Sequence, residues 1–161
     1  MSTRYCICRH YPAKTQQSDG NPTLISKVTM QTYQGSCHCG TVCFTVDIDL
    51  SRGTLRCNCS FCARLRWWTA IVAPGAFRLV SGAEALGDYQ FHARREHHFF
   101  CRQCGIHAFG TGESPRWGAF YAVNLACLID ALPEDLAAAP VQWVDGKNDA
   151  WDQAPVVTAH L

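Results

Sequence analysis

No stretch of this chain approaches the roughly 20 consecutive apolar residues that a membrane helix requires. Neither sign of charge prevails: 14 lysines and arginines stand against 13 aspartates and glutamates, leaving a net +1. Such a balance offers no general attraction for nucleic acid or for an anionic membrane surface, so neither class of partner is expected. Repeats at solenoid periods are missing, and so is the strand–helix alternation that builds a parallel sheet. The opening residues, MSTRYCICRHYPAK, lack the continuous apolar stretch of a secretory leader. The expected location is therefore a reducing cytoplasm.

What the chain has in quantity is cysteine, eleven in 161 residues. In a reducing compartment, closely spaced cysteines point to metal binding or redox chemistry rather than to disulfides. The spacing favours metal: C-x-C at Cys37 and Cys39, C-x-C-x-x-C at Cys57, Cys59 and Cys62, and C-x-x-C at Cys101 and Cys104. Thiols two or three residues apart are poorly placed to bridge one another and well placed to share one cation.

Residues 1–30 are rich in Thr, Ser, Gln, Pro and Lys without a period of 2 or 3.6, and read as a flexible N-terminal tail. Met30 would then open a complete domain over 31–161, with its core in 33–128. Cys6 and Cys8 fall in the tail, either as exposed thiols or as a third metal site. From Tyr33 onward, short strands broken by glycines are predicted. Val42, Phe44 and Val46 alternate with Thr41, Cys43 and Thr45, as a strand requires. Further strands are expected at Trp68 to Ala73, Phe77 to Val80, Leu86 to His92, His97 to Cys101, His107 to Gly110 and Phe120 to Leu125. Pro74-Gly75, Ser81-Gly82 and Thr111-Gly112 read as breaks between them. Helix is expected only around Cys62 to Arg66 and Pro133 to Ala138. The predicted class is mainly β, with short antiparallel strands and little helix.

Structural zinc is tetrahedral, so a closed site needs four cysteines from segments that meet in space. A C-x-C on extended chain and a C-x-x-C on a tight turn supply two each. In Cys101-Arg-Gln-Cys104-Gly105, the glycine can adopt a positive φ and let backbone N–H groups approach the thiolates. The central motif instead offers three thiolates from one short segment. Three protein ligands with one open position is how catalytic zinc is built, and the open position accepts water or a substrate sulfur. Three other readings stay open at this level. His38, His98 or His107 would close a second structural site; an iron–sulfur cluster fits the residue types better than the spacing; and Cys101–Cys104 would form a redox dithiol. His97 and His98 are adjacent on a strand, point to opposite faces and cannot chelate together. Cys43 and Cys127 read as small buried hydrophobes.

Four segments taken together, GSCHCGTVCFTV (35–46), CNCSFC (57–62), FFCRQCGIHAFG (99–110) and YAVNLACL (121–128), resemble the glutathione-dependent formaldehyde-activating (GFA) family. The resemblance implies an Mss4-like β-tent fold stapled by zinc. It implies a structural zinc at Cys37, Cys39, Cys101 and Cys104, and a catalytic zinc at Cys57, Cys59 and Cys62. The activity it implies is that of a carbon–sulfur lyase, S-(hydroxymethyl)glutathione synthase, joining glutathione and formaldehyde. Within that reaction His107 is the first candidate to carry the proton, against a role as a core histidine. Asn124 would orient a polar substrate group or cap a turn. Arg64 is the preferred cation for a glutathione carboxylate, ahead of Arg66, Arg94 and Arg95. Trp67 and Trp68 would wall the site or fill the core. The competing function is a non-catalytic, zinc-stabilised protein-binding module of the same fold.

Overall fold

The first regular element pairs at once with the second. In the computed structural model, which describes residues 30–161, β1 (Gln31–Ser36) runs antiparallel to β2 (Cys43–Ile48), and β2 pairs antiparallel with β5 (Phe77–Ser81). The expected tail, with Cys6 and Cys8, lies outside the described residues except for Met30. Between these strands come β3 (Thr54–Cys57), α1 (Cys62–Leu65) and β4 (Trp68–Val72). After them follow β6 (Leu86–Tyr89), β7 (His97–Cys101), β8 (His107–Ser114), β9 (Gly118–Asn124), α2 (Pro133–Ala138) and β10 (Val141–Val144). The second sheet has seven strands in the order β10-β3-β4-β9-β8-β7-β6. Its pairings are antiparallel except that of β10 with β3, which is parallel. The class is mainly β, as the sequence pattern predicts, and the two short helices fall at the predicted places. Among the described residues no helix is long and apolar enough to cross a membrane.

The two sheets meet through aromatic rings that alternation places on their facing sides. Phe77 stacks on Tyr121 at 4.3 Å between centroids and on Phe44 at 5.3 Å. Phe109 lies 4.6 Å from Phe77 and 5.2 Å from Phe99. Burying each such ring is worth about 1.5–3 kcal/mol, so this seam is the main apolar bond between sheets. Both faces of β2 are covered, and Val42, Phe44 and Val46 are almost wholly buried.

One predicted break is a strand interior. Thr111-Gly112 reads as the end of its strand, yet β8 runs on to Ser114. The reason is packing: Gly112 faces Phe120 across the β8–β9 pair, and a Cβ there would sit 2.7 Å from that ring. The same device recurs where Gly35 faces Phe44 and Gly87 faces Phe100, with clearances of 2.0 and 2.3 Å. A bare glycine lets the opposite phenyl lie flat on the strand, which offsets its poor strand propensity. Leu86 to His92 is corrected in the other direction, since β6 ends at Tyr89 and the chain then turns through His92 and Arg94, both at positive φ.

Candidate metal centres

The topology brings the two outer cysteine pairs together from different sheets. Cys37 and Cys39 lie in the turn between β1 and β2, where Cys37 N–H donates to the Val42 carbonyl at 3.0 Å and Gly40 N–H to the Cys37 carbonyl at 3.1 Å. Cys101 ends β7, and Cys104 lies in the turn before β8. That turn is closed by Gly105, whose φ of 76° is the positive value the sequence suggested, with its N–H donating to the Cys101 carbonyl at 2.7 Å. The four sulfurs lie within 4.8 Å of one another. The Cys39 sulfur is 3.5 Å from that of Cys37 and 3.6 Å from that of Cys101. Metal–sulfur bonds of about 2.3 Å in a tetrahedron require sulfurs about 3.8 Å apart, so the group has the geometry to hold one ion. Val42 N–H points at the Cys37 sulfur from 3.3 Å, and Thr41 Oγ1 donates to Gln103 Oε1 across the two knuckles at 2.8 Å. Cys37 and Cys101 are buried and Cys39 and Cys104 half-buried, and the group joins the β1–β2 turn of one sheet to the β7–β8 turn of the other.

The middle group is built differently. Cys57 ends β3, Cys59 follows in a loop, and Cys62 opens α1. Their sulfurs also lie within 4.8 Å of one another. Backbone N–H groups support them: that of Cys59 points at the Cys57 sulfur from 3.3 Å and that of Cys62 at the Cys59 sulfur from 3.4 Å. Hydrogen bonds from the Cys57 thiol first, then from that of Cys62, lower the Cys59 pKa. Contacts with Cys57 first and then Cys59, followed by burial, raise that of Cys62. Among the described residues no histidine or carboxylate joins the three sulfurs as a fourth ligand. Cys57 is buried, whereas Cys59 and Cys62 are half-buried.

Around this group stands a ring of aromatic side chains. Phe61, between Cys59 and Cys62, lies 4.0 Å from the His98 ring, 5.4 Å from His107, 5.5 Å from Trp67, 5.7 Å from Phe91 and 5.8 Å from Tyr89. His98 is buried, and its Nδ1 is 3.1 Å from the Tyr89 carbonyl, whereas His97 turns outward to Asp88 at 2.7 Å. The pair thus faces opposite sides. His107 Nδ1 and Trp67 Nε1 are buried without a hydrogen-bond partner in the described structure. Loss of solvent lowers the pKa of His98, and lowers that of His107 with help from the neighbouring His98. Both are held neutral, so the unfolded chain binds more protons as pH drops, and stability falls with it. The thermal midpoint should be flat above about pH 6.5 and decline below it. The decline should be shallower in His107→Phe, which keeps the ring; parallel curves would contradict this assignment.

The other sequence-selected residues divide. Arg64 donates to the Ser60 carbonyl at 2.5 Å and lines a cavity of about 250 Å³ with Ser60, Phe61, Tyr89 and Phe91. Arg66, Arg94 and Arg95 are exposed and outside that lining. Asn124 uses its side chain on the backbone: Nδ2 donates to the His107 carbonyl at 2.9 Å and Oδ1 accepts from Ala126 N–H at 3.1 Å. Trp67 walls the three-cysteine group, while Trp68 donates to Thr54 Oγ1 at 2.7 Å and packs on the main core. Cys43 and Cys127 are buried.

Three residues that sequence reasoning passed over also belong to the site. Asn58 Nδ2 donates to Asp145 Oδ1 at 2.6 Å, and its Oδ1 accepts from Lys147 N–H at 2.9 Å. These bonds clamp the loop after β10 onto the C-x-C segment. Within that loop, a Cβ on Gly146 would lie 2.6 Å from the Cys57 sulfur and 2.9 Å from the Trp151 ring. Glu96 is exposed, yet partial desolvation and then the charge of Cys59 raise its pKa. Only the Asp145-Gly146 dipeptide carried a signal, and it reads as an ordinary turn. Gly146→Ala should weaken metal binding at the three-cysteine group by about 10- to 100-fold, the range seen when ligand supports are lost. Chelator competition should find the four-cysteine group unchanged, and equal weakening of both groups would contradict this.

A family model for the glutathione-dependent formaldehyde-activating enzyme matches residues 32–145. The crystal structure of a Rhodobacter sphaeroides protein, a structural genomics target, superposes with a TM-score of 0.58 at 37% sequence identity. The match covers 68% of this chain and 99% of that one. The matched span takes in both cysteine groups and the Asp145 end of the clamp, so the chain belongs to the glutathione-dependent formaldehyde-activating enzyme family.

Proposed function

We propose that the protein is a zinc-dependent carbon–sulfur lyase that makes and cleaves a thiol–aldehyde adduct, with glutathione and formaldehyde as the reactant pair. One observation carries this reading: among the described residues the three-cysteine group has no fourth ligand, while the other group brings four sulfurs together. All-sulfur donors at these separations suit zinc. In this reading Cys37, Cys39, Cys101 and Cys104 hold a structural ion, and Cys57, Cys59 and Cys62 hold a second beside an open position. Zinc bound there supplies Lewis acidity and favours the thiolate form of a sulfur ligand.

The reaction needs no oxidant. A sulfur lone pair attacks the aldehyde carbon, the C–S bond forms, and the carbonyl π pair moves to oxygen. The proton that leaves sulfur ends on that oxygen. The protein's part is to hold two small reactants together and to manage that proton. His107 is neutral and its Nδ1 is unengaged, which suits it to receive and return a proton. Arg64 offers a guanidinium for a substrate carboxylate, and Asn124 fixes the strand that carries His107. Exchange NMR on glutathione and formaldehyde tests the reading. Zinc-loaded protein should speed interconversion of the free and hydroxymethyl forms above the uncatalysed control. Equal rates would contradict it.

A further inference from the structure

Glu96 immediately precedes β7 and shares a face with His98, because side chains two residues apart on extended chain point the same way. His97, between them, turns outward to Asp88. Across the β7–β8 pair the Glu96 side chain lies over Gly112, where a Cβ would sit 3.0 Å from Glu96 Cγ. Two residues back on the same face of β8, a Cβ on Gly110 would sit 3.1 Å from the Trp67 ring. Trp67 clusters with Phe120 and Ala122, and Phe61 and Cys62 pack against that cluster. Glu96 and the three-cysteine group therefore stand on one side of the seven-stranded sheet. The charge of Cys59 reaches this carboxylate and, after desolvation, is the second cause that raises its pKa.

The carboxylate has no cation of its own. Among the described residues Glu96 forms neither an ion pair nor a hydrogen bond. Arg94 and Arg95 are close in sequence, yet both are exposed and neither pairs with it. Three thiolates on one divalent ion would leave a net negative charge, and a substrate thiolate would add another. A carboxylate on the same face repels that charge unless a cation arrives with the substrate. Glutathione carries such a cation in the ammonium of its γ-glutamyl arm. From sulfur to that nitrogen runs about two residues of chain, ~7 Å when extended, so sulfur and ammonium can engage separate groups on one face. Resting on the lyase reading above, we infer that Glu96 receives the ammonium of the thiol substrate and selects a zwitterionic thiol over one that is only anionic. No bond forms or breaks in this contact, and the adduct chemistry is unchanged.

The test compares glutathione with glutaryl-cysteinylglycine, which has hydrogen in place of the ammonium and is otherwise the same molecule. Two readouts are taken on zinc-loaded protein. Calorimetry without aldehyde gives the dissociation constants, and the exchange assay with formaldehyde gives kcat/KM, corrected for the uncatalysed rate. The wild type should prefer glutathione by about five- to tenfold in both, between the value of an exposed ion pair and that of a charge-assisted hydrogen bond. Glu96→Gln should bring the two thiols close to equality, with the loss for glutathione in KM more than in kcat. Glu96→Lys should reverse the order, because its ammonium repels that of glutathione. Turnover of both thiols by the wild type without preference would overturn this inference and leave the lyase reading standing. An equal loss for both thiols in Glu96→Gln would also overturn it, since the residue would then act on the site and not on the ammonium. Acceleration of neither thiol would overturn the lyase reading and this inference with it.

Discussion

Cys101→Ala is expected to unfold the protein. Cys101 is wholly buried, and its sulfur lies 3.6 Å from that of Cys39, where the β1–β2 knuckle meets the β7–β8 knuckle. A structural zinc held by these four cysteines would contribute about 10–16 kcal/mol of apparent binding energy, against a total stability of about 5–15 kcal/mol for an ordinary domain. Removing one ligand leaves three thiols, that of Cys37 buried and those of Cys39 and Cys104 half-buried, and a hole at the junction of two sheets. The aromatic seam of Phe44, Phe77, Phe109 and Tyr121 then lacks the clamp that sets its register. Far-UV circular dichroism and thermal melts check this: the variant should show no cooperative transition. A midpoint within a few degrees of the wild type would mean the four-cysteine group is not a staple.

Cys62→Ala should have the opposite profile. The cooperative melt should persist, because the sheets are still joined at Cys37, Cys39, Cys101 and Cys104, while adduct exchange should drop to the uncatalysed rate. Removing a single group that stabilises developing charge costs about 10²- to 10³-fold, and loss of a metal ligand should cost at least that. Calorimetry and exchange NMR on one preparation decide the matter. Broad destabilisation together with unchanged exchange would instead favour a binding module in which both groups serve folding.

Much of this was legible in the sequence because cysteine spacing is a local signal. C-x-C and C-x-x-C place two sulfurs where they can share one cation whatever the rest of the fold does, so the three-cysteine group and each of the two outer pairs were readable from short windows. Strand His97–Cys101 and helix Pro133–Ala138 have the predicted bounds, since each sits between clear turn or polar segments. What was not legible depends on partners distant in sequence. Gly112 reads as a break until Phe120 is seen lying over it. Strand β10 is only four residues, and its parallel partner β3 lies more than 80 residues earlier, with no local pattern linking them. The clamp from Asn58 to Asp145 and Lys147 and the bare Gly146 beneath Cys57 follow from that pairing, so they were hidden with it. Trp67 and Trp68 are adjacent in the chain and serve different regions, because Trp67 lies in the link between α1 and β4 and packs with Phe61 and Cys62, whereas Trp68 opens β4 and packs on the main core.

The division of labour between the cysteine groups reduces to a count of ions. Native mass spectrometry of the zinc-loaded wild type and of Cys62→Ala, in the same buffer, gives that count. Two zinc ions on the wild type and one on a folded Cys62→Ala chain is the expected pair of masses. A single ion on the wild type, or two retained by Cys62→Ala, would contradict a separate three-cysteine zinc centre.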